Sequence, residues 1–354
     1  MNVLYSNLKF LRYREHLAAL SEGRVVAPIH VRIKPMNYCN HNCWYCAYRY
    51  DNLQLGEDMD LADQIPADKI FEIADDLIEM DVKAVTFSGG GEPLLYKPLP
   101  ELVGKLAGAG IRVATLTNGA NLKGKVAEAF AEHATWVRVS MDGWDGASYA
   151  KSRGIKEDAF DRLLGNMRAF ADTSTDCVLG VSFIIDEVNH THIAEVCEAV
   201  RDAGANHVKL SPVVVGNSVA ENNAYHEKIK DTVTDQIATA TKLETPGFSV
   251  INHYHELPDL FAKPYSMCAY LQFLTVIGAD CGVYTCQDKA YTDSGLLGSI
   301  KDRRFKDFWY SEENREKLFG FDPQVSCRHH CVTHSKNLAI MEYLSLDQEH
   351  GRFV

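Results

Sequence analysis

The sequence lacks any long apolar run. No hydrophobic stretch reaches the roughly 18 residues that span a bilayer, although 46% of the 354 residues are hydrophobic, as in a globular protein. The first twenty residues, MNVLYSNLKFLRYREHLAAL, lack the continuous apolar segment and the small-residue cleavage site of an export signal. We therefore expect no membrane segment, a cytoplasmic location and an amphipathic helix at the N-terminus.

Basic residues are also scarce. The 36 Lys and Arg residues are outnumbered by 48 Asp and Glu residues, which gives a net charge of −12. General nucleic-acid binders depend on a basic face, because most of their affinity comes from phosphate contacts. The composition therefore argues against a nucleic-acid partner and favours a small-molecule one.

Cysteine is plentiful, with ten residues, and three of them crowd one segment. In a reducing compartment, clustered thiols hold metal more often than they form disulfides. In MNYCNHNCWYCAYRY, which begins at Met36, Cys39, Cys43 and Cys46 follow the spacing C-x3-C-x2-C. A zinc site commonly takes four ligands, whereas three thiolates on a [4Fe–4S] cluster would leave one iron open for a ligand. Zinc stays an alternative at this point.

Six short apolar runs alternate with helical patterns between about residues 28 and 215, which predicts an α/β fold with a parallel sheet. Such a sheet forms either an incomplete barrel or an open doubly wound sheet, and both place ligands at the carboxyl ends of the strands. A helix is expected near residues 222–242 and a strand near 248–252. The predicted runs are His30 to Ile33, Val82 to Phe87, Ile111 to Leu116, Trp136 to Ser140, Cys177 to Ile185 and His207 to Leu210.

Changes in the pattern of apolar runs, helical stripes and cysteines along the chain predict four segments. These are an N-terminal helical extension (1–27), a core (28–215), a connecting segment (216–267) and a smaller, separate cysteine-rich module (268–354). Cys177 and Cys197 lie within the apolar patterns of a strand and a helix, so both are expected in the core.

The cysteine triplet, with the aromatic Tyr45 before its last cysteine, resembles the signature of the radical S-adenosylmethionine (radical SAM) superfamily. The resemblance implies a partial (βα)6 TIM-like barrel with a small C-terminal β-hairpin/α auxiliary-cluster domain. It also implies that Cys39, Cys43 and Cys46 hold a [4Fe–4S] cluster whose open iron binds S-adenosylmethionine (SAM). Reductive cleavage of SAM would then give a 5′-deoxyadenosyl radical.

Four further stretches resemble SAM-binding motifs of this superfamily: SGGGEP from Ser88, VRVSMDG, SYAKSRG and VSFIIDEVNHTHI. An ordinary tight turn remains an alternative for the glycine stretch and for Asp142-Gly143. The resemblance implies that the cofactor-binding residues are Tyr45, Gly90, Gly91 and Glu92 (the last three with backbone groups at the methionyl amino group), Ser140 and Asp142 (at the ribose), Arg153 (at the carboxylate), Ser182 and Asn189.

The C-terminal cysteines resemble the twitch module, a short form of the SPASM module that binds one auxiliary [4Fe–4S] cluster. The implied ligands are Cys268, Cys286, Cys327 and Cys331. Cys281 falls where that pattern usually has glycine, so a shifted turn, an exchanged ligand or a role as hydrogen-atom donor are all open. A four-cysteine zinc site is the alternative. The nearby residues His329, His330 and His334 are expected to be surface histidines, with positions behind the cluster ligands or facing the substrate as the alternative.

The expected function is hydrogen abstraction from a small polar substrate, such as a sugar, cyclitol or nucleotide-linked metabolite. An auxiliary cluster suits a two-electron oxidation, so a dehydrogenase-type oxidoreductase supplied by flavodoxin or ferredoxin is favoured. A radical SAM epimerase and a peptide (RiPP) maturase remain alternatives, although the 38 residues before Cys39 leave no room for a peptide-recognition domain. The non-enzyme alternative is an iron–sulfur electron carrier or sensor, which would need no adenosyl site.

Overall fold

The computed structural model describes residues 5–49, 55–173, 176–254, 261–347 and 349–353. Within these ranges the chain forms one ten-stranded sheet and thirteen α-helices. The strands are β1 (His30–Ile33), β2 (Ala84–Phe87), β3 (Arg112–Thr117), β4 (Ala134–Ser140), β5 (Val178–Ile185), β6 (His207–Pro212), β7 (Ser249–Asn252), β8 (Leu274–Ile277), β9 (Gly282–Tyr284) and β10 (Leu296–Ser299).

Helices follow most of the parallel strands, as the alternating pattern predicted. The helices are α1 (Arg14–Glu22), α2 (Ala67–Glu79), α3 (Leu99–Gly108), α4 (Gly124–His133), α5 (Gly146–Arg153), α6 (Ala159–Ala171), α7 (Ile193–Asp202), α8 (Val219–Glu227), α9 (Lys230–Thr241), α10 (Phe305–Trp309), α11 (Glu312–Gly320), α12 (Pro323–Ser326) and α13 (His334–Ser345).

The sheet confirms the α/β class with a parallel core. Strands β1 to β7 pair in sequence order and all run parallel. Each of the six predicted strands lies within two residues of its expected bounds. Their buried positions are rich in β-branched and aromatic residues, which suit strands covered on both faces. The carboxyl ends of these strands therefore meet at one edge, where a ligand site is expected.

The helices cover the outside of this sheet with one apolar stripe each. In α2, Ile70, Ile73, Ala74 and Leu77 recur at three-to-four spacing and are at most 1% exposed. The same stripe in α6 buries Phe160, Leu163, Met167 and Phe170. Cys177 and Cys197 are both buried in this core, as expected.

The C-terminal region extends the same sheet instead of standing apart from it. Strand β8 pairs in parallel with β1, with His30 opposite Leu274, and β9 and β10 continue outward as antiparallel strands. At the other edge, β7 of the connecting segment pairs with β6. One sheet thus runs across the predicted boundaries at 216 and 268, so the parallel core has eight strands where six were expected.

The N-terminal segment contacts side chains of β4 and β6. The Tyr5 hydroxyl accepts a hydrogen bond from Arg138 Nη1 at 3.0 Å and lies 3.2 Å from His207 Nε2. Helix α1 packs its residues Leu17 and Leu20 into a small apolar cluster with Phe273 of the C-terminal region. None of the helices that the structure describes is both long enough and apolar enough to cross a membrane.

Candidate active site

The cysteine triplet lies on the loop that follows β1, at the carboxyl edge of the sheet. Cys39, Cys43 and Cys46 all line one cavity of about 470 Å³, called here the central cavity. The loop is fixed by the end of α5, because Asn42 N–H donates to the Arg153 carbonyl at 2.8 Å. The sequence prediction of three clustered thiols at the functional edge of the barrel therefore matches their position.

The glycine-rich turn after β2 packs directly against the residues that lead into this loop. A Cβ atom at Gly91 would lie 2.0 Å from the Tyr38 carbonyl oxygen, and one at Gly90 would lie 2.4 Å from Asn37 Oδ1. Only glycine allows so close an approach. The Gly91 N–H donates to the Met36 carbonyl at 3.2 Å. Because an ammonium only donates hydrogen bonds, a ligand ammonium at this turn would need its carbonyl oxygens as acceptors.

Glu92 ties the turn to the end of β3. Its buried carboxylate accepts hydrogen bonds from the Thr117 hydroxyl at 2.5 Å, the Asn118 N–H at 2.7 Å and the Leu94 N–H at 3.0 Å. Burial raises the pKa of Glu92, and these hydrogen bonds oppose the rise. The Glu92 side chain therefore links the glycine turn to the end of β3, and it also lines the central cavity.

Asp142 is engaged by protein donors and not free for a ribose. Its Oδ2 accepts from both the Tyr45 hydroxyl and Arg153 Nη2, and its Oδ1 accepts from the Ile184 N–H at 2.8 Å. Asn189 Nδ2 donates to the Asp142 carbonyl at 3.1 Å. Asp142 and Asn189 therefore position Arg153 and Tyr45, and it is the latter two that line the central cavity.

Arg153 links this ion pair to the cysteine triplet. Its Nη1 donates to Cys43 Sγ at 3.4 Å. Burial alone would lower the pKa of Arg153, but Asp142, Tyr45 and Cys43 together outweigh burial and raise it. Arg153 thus carries a permanent positive charge beside the triplet, where a carboxylate of a bound ligand would be stabilised.

The two serines of the predicted site lie on neighbouring strands. Ser140 lines the central cavity, and Ser182 is its register partner on β5. Ser182 is half-buried, and its carbonyl accepts from the Met141 N–H at 3.0 Å. Ser182 therefore supports the strand that carries Ser140.

Four other cysteines surround a second space, called here the C-terminal cavity. Cys268, Cys286, Cys327 and Cys331 all line it. Asn337 Nδ2 donates to Cys268 Sγ at 3.3 Å. Burial raises the pKa of Cys268 and Cys327 to about 12, so these thiols would need cations to become thiolates.

The sulfur atoms of neither cysteine set are grouped as closely as the ligands of a zinc ion. Four thiolates on zinc stand about 3.8 Å apart, since each Zn–S bond is about 2.3 Å. Among the described residues, no three cysteine sulfur atoms lie within 4.8 Å of one another. The potential ligands that do lie this close are Cys286, Asp288 and His329.

Cys281 belongs to neither cysteine set. It lies in the turn between β8 and β9, is buried in the core and lines neither cavity. Its φ of 61° is the left-handed conformation that favours glycine. Cys281 therefore occupies the glycine position of the hairpin turn, and the structure gives no support to the predicted role as hydrogen donor.

The histidines near the last cysteine pair are less exposed than expected. His329 and His334 are buried, and His330 is half-buried. The expectation of surface histidines is wrong for His329 and His334, because Lys263 donates to the His329 carbonyl at 3.0 Å and His334 Nδ1 lies 3.1 Å from the Tyr265 hydroxyl. His329 lines both cavities, so the two cysteine sites adjoin.

Sequence reasoning missed a charged lining on β1. Arg32 and Lys34 line the central cavity together with Tyr48 and Asp288. The Lys34 ammonium donates to the Tyr48 hydroxyl at 2.5 Å and to the Gly89 carbonyl at 3.0 Å. Burial lowers the pKa of Lys34 to about 7, with a further contribution from Arg32. The signal was the alternation of basic and apolar residues in HVRIK, which places bases on one face of a core strand.

Comparison with known families agrees with this geometry. Residues 33–200 match the model of the Radical SAM superfamily, and this range contains the triplet, the glycine turn and the Asp142–Arg153 pair. Residues 33–200 form a radical SAM domain. A radical SAM protein binds a [4Fe–4S] cluster and SAM, which the triplet and the central cavity fit, and the second cysteine set fits an auxiliary cluster.

The similar radical SAM proteins have diverse activities. A probable GTP 3′,8-cyclase of Metallosphaera sedula is 24% identical over 312 residues, covering 84% of this chain and 92% of the cyclase. A pre-heme d1 synthase of Dinoroseobacter shibae is 30% identical over 207 residues, covering 57% of this chain and 48% of the synthase.

Solved structures show the same radical SAM fold. Streptococcus suis SuiB bound to its precursor peptide SuiA superposes with a TM-score of 0.62 at 16% identity, over 94% of this chain and 78% of SuiB. The enzyme anSMEcpe with bound AdoMet gives 0.59 at 16% identity, over 90% of this chain and 96% of that protein. At these identities the likeness concerns the fold.

Proposed function

We propose that this radical SAM enzyme oxidises a small polar substrate by two electrons, with the auxiliary cluster as acceptor of the second electron. The observation that carries the proposal is the position of His329, which lines both the central cavity and the C-terminal cavity. A substrate in the central cavity would then lie next to both cysteine sets.

The chemistry divides between the cofactors and the chain. When bound, the first cluster and SAM supply a 5′-deoxyadenosyl radical, and the auxiliary cluster takes up an electron. The substrate would lose one hydrogen atom to this radical, which becomes 5′-deoxyadenosine. The substrate radical would then lose one electron to the auxiliary cluster and a hydroxyl proton to water, so a carbinol becomes a carbonyl. A reducing protein such as flavodoxin or ferredoxin would supply the electron that cleaves SAM.

The protein's own residues orient the reactants. Arg153, held by Asp142, offers a cation beside Cys43 for the carboxylate of SAM. The cofactor contacts assigned to Tyr45, the glycine turn and Ser140 belong to the same proposal, since all of them line the central cavity. Epimerisation is less favoured because Cys281 lines neither cavity.

The test uses anaerobically reconstituted protein, a reductant, SAM and a panel of sugars, cyclitols and nucleotides in deuterated water. After back-exchange of hydroxyl and N–H groups into ordinary water, the proposal predicts a product two hydrogens lighter than its substrate, one 5′-deoxyadenosine per product and no carbon-bound deuterium. A product of unchanged oxidation level that carries one carbon-bound deuterium would contradict the proposal and indicate epimerisation.

A variant pair separates the roles of the cysteines. Cys286→Ser should still form 5′-deoxyadenosine but lose the oxidised product, because the second electron has no acceptor. Cys281→Ser is the matched control and should keep both. Full product formation by Cys286→Ser would rule out the auxiliary cluster as electron acceptor.

A further inference from the structure

The lining of the central cavity carries more positive charge than its carboxylates offset. Arg32, Lys34 and Arg153 line it together with Glu92 and Asp288. Arg153 is held in a buried ion pair, and Glu92 accepts three hydrogen bonds. The charge of Glu92 is thus engaged by neutral donors, and within the described lining Asp288 is the carboxylate whose charge acts on both Arg32 and Lys34.

Arg32 is the least satisfied of these cations. Its Nε atom is shielded from solvent and has no hydrogen-bond partner in the described part of the chain. No ion pair joins it to Asp288, the carboxylate whose charge acts on it. A guanidinium presents five N–H donors in a planar fork that matches a carboxylate or phosphate.

The surroundings of Arg32 add further positive charge. Burial and the neighbouring charge of Arg138 both lower the pKa of Arg32. Arg138 itself donates to the Tyr5 hydroxyl and lies over the Trp136 ring, so neither contact is an ion pair with a carboxylate. A bound anion would relieve this repulsion, because opposite charges attract strongly where water is excluded.

Lys34 has a donor left for a ligand beside Arg32. In its protonated form Lys34 has three N–H donors, and the Tyr48 hydroxyl and the Gly89 carbonyl accept two of them. Lys34 is only 1% exposed. Its remaining donor is therefore available inside the cavity and not to bulk solvent.

The position of this pair relates it to both cysteine sites. Arg32 is the register partner of Val276 on β8, the first strand of the C-terminal region. The Tyr48 hydroxyl, which accepts from Lys34, donates to the Gln287 carbonyl at 2.9 Å, next to Cys286. An anion held here would lie between the loop of the triplet and the loop that carries Cys286.

We propose that the substrate carries an oxyanion, either a phosphate or a carboxylate, and that Arg32 and Lys34 bind it inside the central cavity. The inference rests on the proposed function for the idea that the substrate occupies this cavity. The inference narrows the substrate class from polar molecules in general to anionic ones. Arg32 would then determine the specificity for an anionic substrate.

The experiment measures binding of simple probes to the anaerobically reconstituted holoenzyme by isothermal titration calorimetry. The probes are inorganic phosphate, acetate and glucose, each with and without saturating SAM. We expect either phosphate or acetate to bind in the presence of SAM and glucose not to bind. Stronger binding of phosphate indicates a phosphorylated substrate, and stronger binding of acetate indicates a carboxylic acid.

Variants identify the residues. Arg32→Gln should weaken binding of the preferred anion at least tenfold while iron content and SAM binding stay unchanged. Arg32→Lys should keep part of the affinity. Arg201→Gln, which alters an arginine on the outer helix α7, should bind the anion as the wild type does. Should Arg32→Gln lose iron, the same tenfold loss is expected of Lys34→Gln.

Two outcomes would overturn the inference. One is unchanged anion affinity in a variant of Arg32 or Lys34 that keeps its iron. The other is competition between the anion and SAM, which would show that this pair binds the carboxylate of SAM. A wild type that cleaves SAM but binds neither anion refutes the inference alone, whereas one that binds the anion but never cleaves SAM refutes the proposed function alone.

Discussion

Asp142 and Arg153 form an ion pair whose side chains are 2% and 3% exposed, on one side of the cysteine triplet. The sequence motif around Asp142 suggested direct contact with a ribose, yet its carboxylate already accepts hydrogen bonds from Arg153, Tyr45 and the Ile184 N–H. The pair therefore prepares the SAM site by fixing Arg153 against Cys43.

Removal of this carboxylate should destabilise the protein and weaken SAM binding. Asp142→Asn leaves the Arg153 charge buried without its partner, which typically costs about 3–5 kcal/mol of unfolding free energy. The measurement is anaerobic denaturant unfolding of the holoenzyme, together with SAM titration.

An exposed ion pair provides the control for this prediction. Asp158 and Arg162 form an i,i+4 pair in which both side chains are at least 60% exposed. Asp158→Asn should change the unfolding free energy by at most about 1 kcal/mol. Equal effects of the two substitutions would contradict a structural role for Asp142.

The close approach at Gly91 predicts a cost for any side chain there. A Cβ atom at Gly91 would lie 2.0 Å from the Tyr38 carbonyl oxygen, so Gly91→Ala should displace the loop that leads to the triplet. Overpacking of this kind costs about 1–3 kcal/mol, and we expect reduced iron at the first site in chelation assays.

Gly108 at the end of α3 is the matched control. A Cβ atom there would meet nothing within 4 Å. Gly108→Ala should therefore keep all iron and raise the unfolding free energy by about 0.5–1 kcal/mol, because alanine restricts the unfolded chain. Full iron retention in Gly91→Ala would show that the glycine turn does not position the loop.

The buried His207 predicts a loss of stability in acid. Burial and the charge of Arg138 lower the pKa of His207 to about 4, against about 6.5 in an unfolded chain. Between these two values the unfolded chain binds more protons than the folded protein, so stability falls as pH falls. Between the two pKa values, the free energy of unfolding falls by up to roughly 1.4 kcal/mol for each pH unit.

The measurement compares wild type and His207→Gln in denaturant unfolding between pH 7 and pH 4.5. The variant should lose less stability over this range, because it lacks the group that titrates. His350→Gln, at an exposed position, should follow the wild type. Parallel curves for the wild type and His207→Gln would disprove the assignment.

Structural features that depend on residues close together in the sequence were predictable. Apolar runs predicted the six core strands, and the spacing of Cys39, Cys43 and Cys46 predicted one metal site, because both patterns depend on neighbouring residues. The second cysteine set was predicted only from the resemblance to the twitch module. The pairing of β1 with β8 was not predictable, since it joins His30 to Leu274 across most of the chain. The residues of an apolar run do not indicate which distant strand it pairs with.

Side-chain roles were harder to predict than positions. The Asp142 motif gave no sign that Arg153 and Tyr45 would occupy its carboxylate, because that competition appears only when the end of α5 lies beside Asp142. Cys281 is a related case: a cysteine near other cysteines suggested chemistry, and the structure adds a left-handed backbone conformation typical of a turn residue.

The placement of Cys281 leads to a direct prediction about iron. Cys281→Ser should keep the full iron content, since the residue lines neither cavity. Cys286→Ser, a change of the same size on the next loop, should lose the iron of the auxiliary site. Iron loss from Cys281→Ser comparable with that from Cys286→Ser would make Cys281 a ligand.

Iron content combined with SAM cleavage is the most direct measurement of the central claim, that two separate cysteine sets hold two clusters of which one cleaves SAM. The account predicts about eight irons in the reconstituted wild type. It predicts about four irons, and no 5′-deoxyadenosine, in the variant with Cys39, Cys43 and Cys46 all changed to Ala. A triple variant that keeps all its iron, or still forms 5′-deoxyadenosine, would contradict it.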